Sequence, residues 1–290
     1  MMTHPVFTDV VLHSDDELAE LLGGRVDERK TIHAWPLSCV QAVRMDDGTS
    51  LVYKVQLPPT VEPEFYASAS SSLLPGHRLL GPIGPGVAMA IDWVDAPSLS
   101  EAARGGGLLE RARDIVSEIA GIVGDLPSYL DIGSVANWTA VVDEVLSRRD
   151  ELTAKGWFTH DDREAADRIR AWAGSSAVLS AIGAGSRVIH GDLTGDQVFV
   201  TDSGYRVIDW QRPIVAPAEV DLVSLLVEKR VEPHGIVDDA VVGIFWFLRL
   251  HWAVVAQYEL FPGARRKLFD DWAHEAVDSI LQRAPRPGRP

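Results

Sequence analysis

Two short apolar runs, each delivering an acid at its end, constrain this chain most. Val188-Ile189 leads into His190-Gly191-Asp192, and Tyr205-Arg206-Val207-Ile208 leads into Asp209. Between them Gln197-Val198-Phe199-Val200 reads as a strand, and Thr201-Asp202-Ser203-Gly204 has the composition of a hairpin turn. The spacing therefore predicts that both acids sit at the ends of β elements and face a common cleft. Two carboxylates so placed suit a division of labour. One, Asp192, would orient a hydroxyl, while the other, Asp209, would hold a divalent cation against a phosphate.

The rest of the chain divides into a β-patterned first third and a helical remainder. Ser14-Asp15-Asp16-Glu17 has capping-box spacing and opens a helix through Leu22, closed by Gly23-Gly24. Cys39 to Met45 and Ser50 to Val55 alternate on either side of the Asp46-Asp47-Gly48-Thr49 turn, which predicts a hairpin with Lys54 among apolar strand neighbours. Glu62 and Glu64 then precede the helix-like Glu64-Phe65-Tyr66-Ala67, with Pro63 suited to a first turn. Pro75 to Gly86 reads as loops between short strands, and Val87 to Val94 as an apolar strand. No G-x-x-x-x-G-K-[ST] is present, so no P-loop is expected. Helical periods follow over Leu108 to Ile122, Trp138 to Leu152 and Asp161 to Ala173, the last capped by Thr159 or Asp161. Gly105 to Gly107 reads as a linker. Three more helices are expected over Asp221 to Lys229, Asp238 to Tyr258 and Lys267 to Arg283, and the tail 283–290 should be disordered.

Composition narrows the partners. A chain of 290 residues that is 46% hydrophobic can bury a large core. Its net charge of −15 disfavours nucleic acid and anionic membrane and suits a cationic substrate, although ordinary solubility explains it too. The start shows no basic segment before an apolar one, no run of about 18 apolar residues occurs, and Cys39 is the one cysteine. A cytoplasmic protein without a disulfide framework is expected. A metallophosphatase reading of His190-Gly191-Asp192 lacks further histidine and asparagine ligands at suitable spacing.

The motif H-G-D-L-x-x-x-Q at His190 to Gln197, the I-D-W at Ile208-Asp209-Trp210, and Asp221 twelve residues after Asp209 resemble the aminoglycoside phosphotransferase and choline kinase branch of the protein-kinase-like enzymes. The resemblance implies an α+β, bilobal protein-kinase-like fold, with a small β-rich nucleotide-binding lobe over 1–94 and a larger helical catalytic and substrate lobe over 95–290. It implies ATP-dependent phosphoryl transfer to a hydroxyl of an aminoglycoside, amino alcohol or sugar-like molecule, with Mg²⁺ or Mn²⁺. On this reading Asp192 orients the hydroxyl, Asp209 binds the metal, and Lys54 draws on the phosphates. Glu64 holds Lys54, and the Ile91 carbonyl and Trp93 amide meet the adenine edge. His190 braces the catalytic loop, and Asp221 is an N-cap or loop brace. Gln197 departs from the family pattern, which has a metal-binding asparagine there. Its extra methylene moves the amide by ~1.5 Å. Gln197 as a ligand from a shifted backbone, replacement by Asp196 or water, and loss of a second metal are all open; a retained metal site is the favoured outcome. The alternative is a catalytically weak or silent pseudokinase that binds nucleotide and works through a partner.

Acceptor recognition is less constrained. Glu228, Glu232, Asp238, Asp239, Glu259, Asp270 and Asp271 could line an acidic pocket, but solvated helix faces and caps explain most of these acids better. Phe245, Trp246, Phe247, Trp252 and Tyr258 suit core packing better than a cation cage.

Overall fold

Ser14 accepts from the Glu17 amide and the Glu17 carboxylate accepts from the Ser14 amide, so the expected capping box closes and starts α1 (Asp15–Leu22). Gly23 ends the helix at φ 81°, a left-handed conformation that glycine adopts without a Cβ penalty. The structure, a computed structural model, describes residues 1–102, 106–159 and 163–283. Gly105 of the expected linker, Asp161 as a cap and the tail from 284 lie outside them.

The strands in chain order are β1 (Met2–Thr3), β2 (Val11–Leu12), β3 (Val26–Trp35), β4 (Ser38–Met45), β5 (Ser50–Gln56), β6 (His77–Ile83), β7 (Gly86–Asp92), β8 (Leu130–Asp131), β9 (Arg187–Ile189), β10 (Val198–Thr201), β11 (Gly204–Val207) and β12 (Ile214–Ala216). The helices after α1 are α2 (Glu62–Ser68), α3 (Leu99–Ala102), α4 (Leu108–Ala120), α5 (Val135–Ala154), α6 (Arg163–Ala173), α7 (Ser176–Gly183), α8 (Glu219–Glu228), α9 (Asp239–Val255) and α10 (Arg266–Arg283). The chain forms two compact units.

The first unit holds Met1–Tyr129 and Asp192–Pro213. Its main sheet has the order β3-β4-β5-β7-β6, with every neighbouring pair antiparallel. Cys39 and Val43 of β4 and Leu51, Tyr53 and Val55 of β5 point into one core with Leu18 of α1. Alternation then sends Val40, Val52 and Lys54 to the opposite face, where Val40 pairs with Lys54 across the strands. Two edges differ from expectation. β3 carries Asp27-Glu28-Arg29-Lys30 and gives no apolar alternation; charged residues blunt an exposed edge while its backbone still pairs with β4. β6 runs through Gly81-Pro82, where loops were expected. An edge strand tolerates the missing proline donor, and Gly81, at φ 95°, takes up a register shift against β7. The β10–β11 hairpin closes with Thr201 opposite Gly204, as the turn composition predicts.

The second unit holds Leu130–Gly191 and the described part of Ile214–Pro290. It contains α5 to α10 and a small sheet of order β8-β12-β9. Its core is built on α9, whose Phe247 meets Trp138 edge to face at 4.9 Å. Gly243 of α9 gives way to the Trp172 ring, which a Cβ would approach to 2.4 Å. The aromatic residues Phe245 and Phe247 are thus core, as the packing reading expects. Asp239–Leu260 is long and apolar enough to cross a membrane by length and composition, yet 78% of the apolar window is buried inside the fold, as in a core helix.

Candidate functional site

Lys54 is the centre of the first unit's charge cluster. Its Nζ lies 2.5 Å from Glu62 Oε2 and 2.6 Å from Asp209 Oδ1, although the side chain is only 5% exposed and that of Glu62 is 0% exposed. Burial alone would lower the Lys54 pKa, but the charges of Asp209 and Glu62 together outweigh it and hold the ammonium above its usual value. Burial raises Glu62, against the pull of Lys54. Gln56, also buried, donates its amide hydrogen to Glu62.

The carboxylate facing Lys54 is therefore Glu62 and not Glu64, which is exposed. The signal was helical spacing. Glu62, Phe65 and Tyr66 fall at i, i+3 and i+4 and form one buried face of α2, whereas Glu64 falls on the other.

Asp209 sits in a tight turn at φ 73°, sparsely populated for a residue with a side chain. The turn is held from several sides. Gln211 donates its amide to the Asp209 carbonyl at 2.8 Å and its side-chain amide to Oδ1 at 2.5 Å. Trp210, fully buried, stacks on Phe65 at 4.3 Å and donates its indole hydrogen to the Val207 carbonyl. The backbone cost of the turn, about 1–3 kcal/mol, is offset by these contacts.

Gln197 reaches the same carboxylate, but with its nitrogen. Its oxygen accepts from the Thr194 amide at 2.8 Å, which leaves Nε2 to donate to Asp209 Oδ2 at 3.2 Å. The extra methylene folds the amide back onto the loop. In this geometry Gln197 restrains Asp209 by a hydrogen bond, with its side-chain oxygen turned to the Thr194 amide.

Asp192 is paired with Arg212, Nη2 to Oδ2 at 2.7 Å, with the Asp192 side chain 40% exposed and that of Arg212 18%. Arg212 was missed in the sequence, where a single arginine after I-D-W-Q carries no periodic signal. In the second unit, the Asp221 carboxylate accepts from the His190 amide at 2.8 Å and the Gly191 amide at 2.9 Å. Asp221 is fully buried, lies in the first turn of α8, and braces the loop; the residue at the N-cap is Ala218. Gly191 turns at φ 82°, which explains the glycine between His190 and Asp192.

A cavity of about 470 Å³ opens on the charge cluster, and every residue lining it belongs to the first unit. Val40, Val52, Ile91, Phe199 and Ile208 supply apolar walls, while Lys54, Glu62, Asp209 and Arg212 lie at its polar end. Such a volume and such a division suit a small organic ligand with one charged end. Ile91 and Trp93, the residues expected at the base edge, both line this cavity, Ile91 on β7 and Trp93 just past it. The Trp93 amide donates to the Ser50 carbonyl at 3.4 Å and the Asp92 amide to the Gly76 carbonyl at 2.7 Å. Ile91 pairs with Val52 in the β5–β7 ladder, which ends at Asp92 opposite Leu51.

The acids considered for a cationic pocket are occupied within the second unit. Glu228 pairs with Lys229, Glu232 with Arg283, Asp239 with His234, Glu259 with Arg148 and Asp271 with Lys267. Asp238 caps α9, and Asp270 accepts from Thr159. Among the described residues no three His, Cys, Asp or Glu side chains group as a metal-binding cluster.

Residues 57–258 match the family model described as APH, phosphotransferase enzyme family. No curated protein sequence matches the chain. Among solved structures, the chain is similar to a choline/ethanolamine kinase family protein from Mesorhizobium loti, with a TM-score of 0.65 at 15% identity over 93% of this chain and 95% of that one. It is similar to a thermostable mutant of aminoglycoside phosphotransferase APH(4)-Ia, with a TM-score of 0.60 at 14% identity over 93% of this chain and 98% of that one. It also resembles spectinomycin phosphotransferase APH(9)-Ia in complex with ADP and spectinomycin, with a TM-score of 0.60 at 12% identity over 94% and 99% of the two chains. The fold is thus the α+β, protein-kinase-like fold.

Proposed function

From the premise that the chain belongs to the APH phosphotransferase enzyme family, we propose that it transfers the γ-phosphoryl group of ATP to a hydroxyl of a small molecule. One observation carries the proposal: the Lys54 ammonium, fixed between Glu62 and Asp209, lines a largely apolar cavity of about 470 Å³. A nucleotide base suits the apolar walls and its phosphates suit the cation. The base edge would be met by main-chain groups at or just past the end of β7, between Ile91 and Val94.

Phosphoryl transfer passes through a loose transition state, so the protein's work is to position groups and neutralise charge. Lys54 binds phosphate oxygens, and Glu62 with Gln56 sets its direction. Asp192, partly exposed, receives the acceptor's hydroxyl hydrogen. Asp221, through the His190 and Gly191 amides, fixes the loop from which Asp192 projects.

The donor chemistry also fits Mg²⁺, which needs one or two carboxylates and takes its remaining ligands from phosphates and water. Asp209 would hold it, with Gln197 keeping the carboxylate in place. When bound, the metal would supply positive charge that offsets the negative charge of the phosphates. The acceptor class is an amino alcohol, a sugar or an aminoglycoside, and the acidic balance of the chain favours a cationic one. With the lone cysteine buried and reduced, the site of action would be cytoplasmic.

The test is ADP release across amino alcohols, sugars, nucleosides and aminoglycosides, with Mg²⁺ and Mn²⁺ supplied separately. Acceptor-dependent release supports the proposal. Tight nucleotide binding with no acceptor-dependent release anywhere in the panel counts against it.

A further inference from the structure

We propose that Arg212 is the cation that holds the transferring phosphoryl group, and that its ion pair with Asp192 is the resting arrangement of that role. The inference rests on the phosphotransferase reading and names a residue that reading does not require.

The argument begins with charge. Among the residues lining the cavity, the permanent cations are Lys54 and Arg212. Lys54 is already matched by two carboxylates, Glu62 at 2.5 Å and Asp209 at 2.6 Å, so that cluster carries a net −1. A triphosphate arriving there meets little unbalanced positive charge from Lys54 alone. Arg212, which is paired with Asp192, is the second cationic centre. It follows the braced turn Asp209-Trp210-Gln211 and precedes Pro213, so its backbone is anchored beside the carboxylate assigned to the metal.

Geometry supplies the second part. The guanidinium has five N–H donors in a planar fork, and the 2.7 Å bond to Asp192 engages Nη2. Asp192 is the group that receives the acceptor's hydroxyl hydrogen, so the transferring phosphorus must pass close to it. A guanidinium fastened to that carboxylate and lining the nucleotide cavity bridges the acceptor side and the donor side. With ATP bound, Arg212 keeps Asp192 within reach and turns further donors to the γ-phosphoryl oxygens, where charge-assisted bonds are strongest. The acceptor oxygen then forms its bond to the γ-phosphorus. The bond from phosphorus to the β,γ-bridging oxygen breaks with its electron pair leaving on ADP, and the hydroxyl proton passes to Asp192 and on to solvent.

ADP lacks the group Arg212 is proposed to hold, so nucleotide binding separates this role from a structural one without any knowledge of the acceptor. Calorimetric titration of Mg²⁺ with the β,γ-imido analogue of ATP, and of Mg²⁺ with ADP, is made with wild type, Arg212→Lys, Arg212→Met and Asp192→Asn. Arg212→Met should weaken the triphosphate analogue about tenfold and leave ADP within about twofold, since a charge-assisted pair is worth roughly that much. Arg212→Lys should lie between. Asp192→Asn, which removes the competing carboxylate, should tighten the triphosphate analogue a few-fold. Equal weakening of both nucleotides, or of neither, in Arg212→Met overturns the proposal while the phosphotransferase reading stands. Wild type that binds neither nucleotide overturns both.

Discussion

Replacing Lys54 by methionine removes the cation from the centre of the site while keeping its volume and stem. Glu62, fully buried, and Asp209 would then face each other with no positive charge between them. Removing one partner of a buried ion pair costs about 3–5 kcal/mol. The lower end applies here, because Glu62 keeps the Gln56 amide and Asp209, 34% exposed, keeps partial hydration and Gln211. A loss of about 3 kcal/mol is expected at pH 8. It should shrink as the pH falls. Burial already raises the Glu62 pKa, and without Lys54 to lower it the carboxyl in the folded variant binds its proton more tightly than in the unfolded chain. Such a group favours folding below its unfolded pKa, and that gain disappears as the pH rises through the folded value. Urea unfolding followed by tryptophan fluorescence at pH 5, 6.5 and 8 measures the deficit, provided the m-values of the two proteins agree. A deficit independent of pH, or none at pH 8, would refute the argument that Lys54 neutralises a buried carboxylate.

Three further predictions follow from the same geometry. Glu62→Gln should weaken Mg·ADP binding measurably through loss of the direction given to Lys54, whereas Glu64→Gln should leave binding unchanged and stability within about 0.5 kcal/mol; the opposite ranking would restore Glu64 as the partner. Asp221→Asn leaves one of the two loop amides without an acceptor in a fully buried place, which should cost about 2 kcal/mol in urea unfolding and lower turnover more than it lowers nucleotide affinity. Gln197→Asn shortens the side chain by a methylene, releases the Thr194 amide and brings the amide oxygen back toward Asp209; the Mg²⁺ concentration for half-maximal activity should fall several-fold, and an unchanged or raised requirement would contradict the role given to Gln197.

What the sequence disclosed depended on how local each feature is. The Ser14 capping box, the β4–β5 hairpin and the turn at Thr201 to Gly204 are short-range patterns, and all three form. The motif around Asp192 and Asp209 carried the family; Asp192 follows β9, and Asp209 follows the β10–β11 hairpin. Edge strands were harder to read. β3 presents charges to solvent and β6 contains glycine and proline, so neither shows the alternation of a strand covered on one face. Side-chain partnerships were harder still. The choice between Glu62 and Glu64 turns on a rotation of two residues about the axis of α2, and Arg212 meets Asp192 from 20 positions further along the chain. That the Gln197 amide folds back onto Thr194 is set by the loop conformation, which the sequence does not disclose.

The central claim is that the cavity beside Lys54 and Asp209 serves phosphoryl transfer to a small-molecule hydroxyl. Its most direct test is ³¹P NMR of reactions containing Mg·ATP and each class of acceptor, with wild type and Asp209→Asn in parallel. The account predicts a new phosphomonoester resonance that grows with ADP for at least one acceptor with wild type and is absent with Asp209→Asn. Phosphomonoester formed equally by both proteins, or none formed by a wild type that binds Mg·ATP, would contradict it.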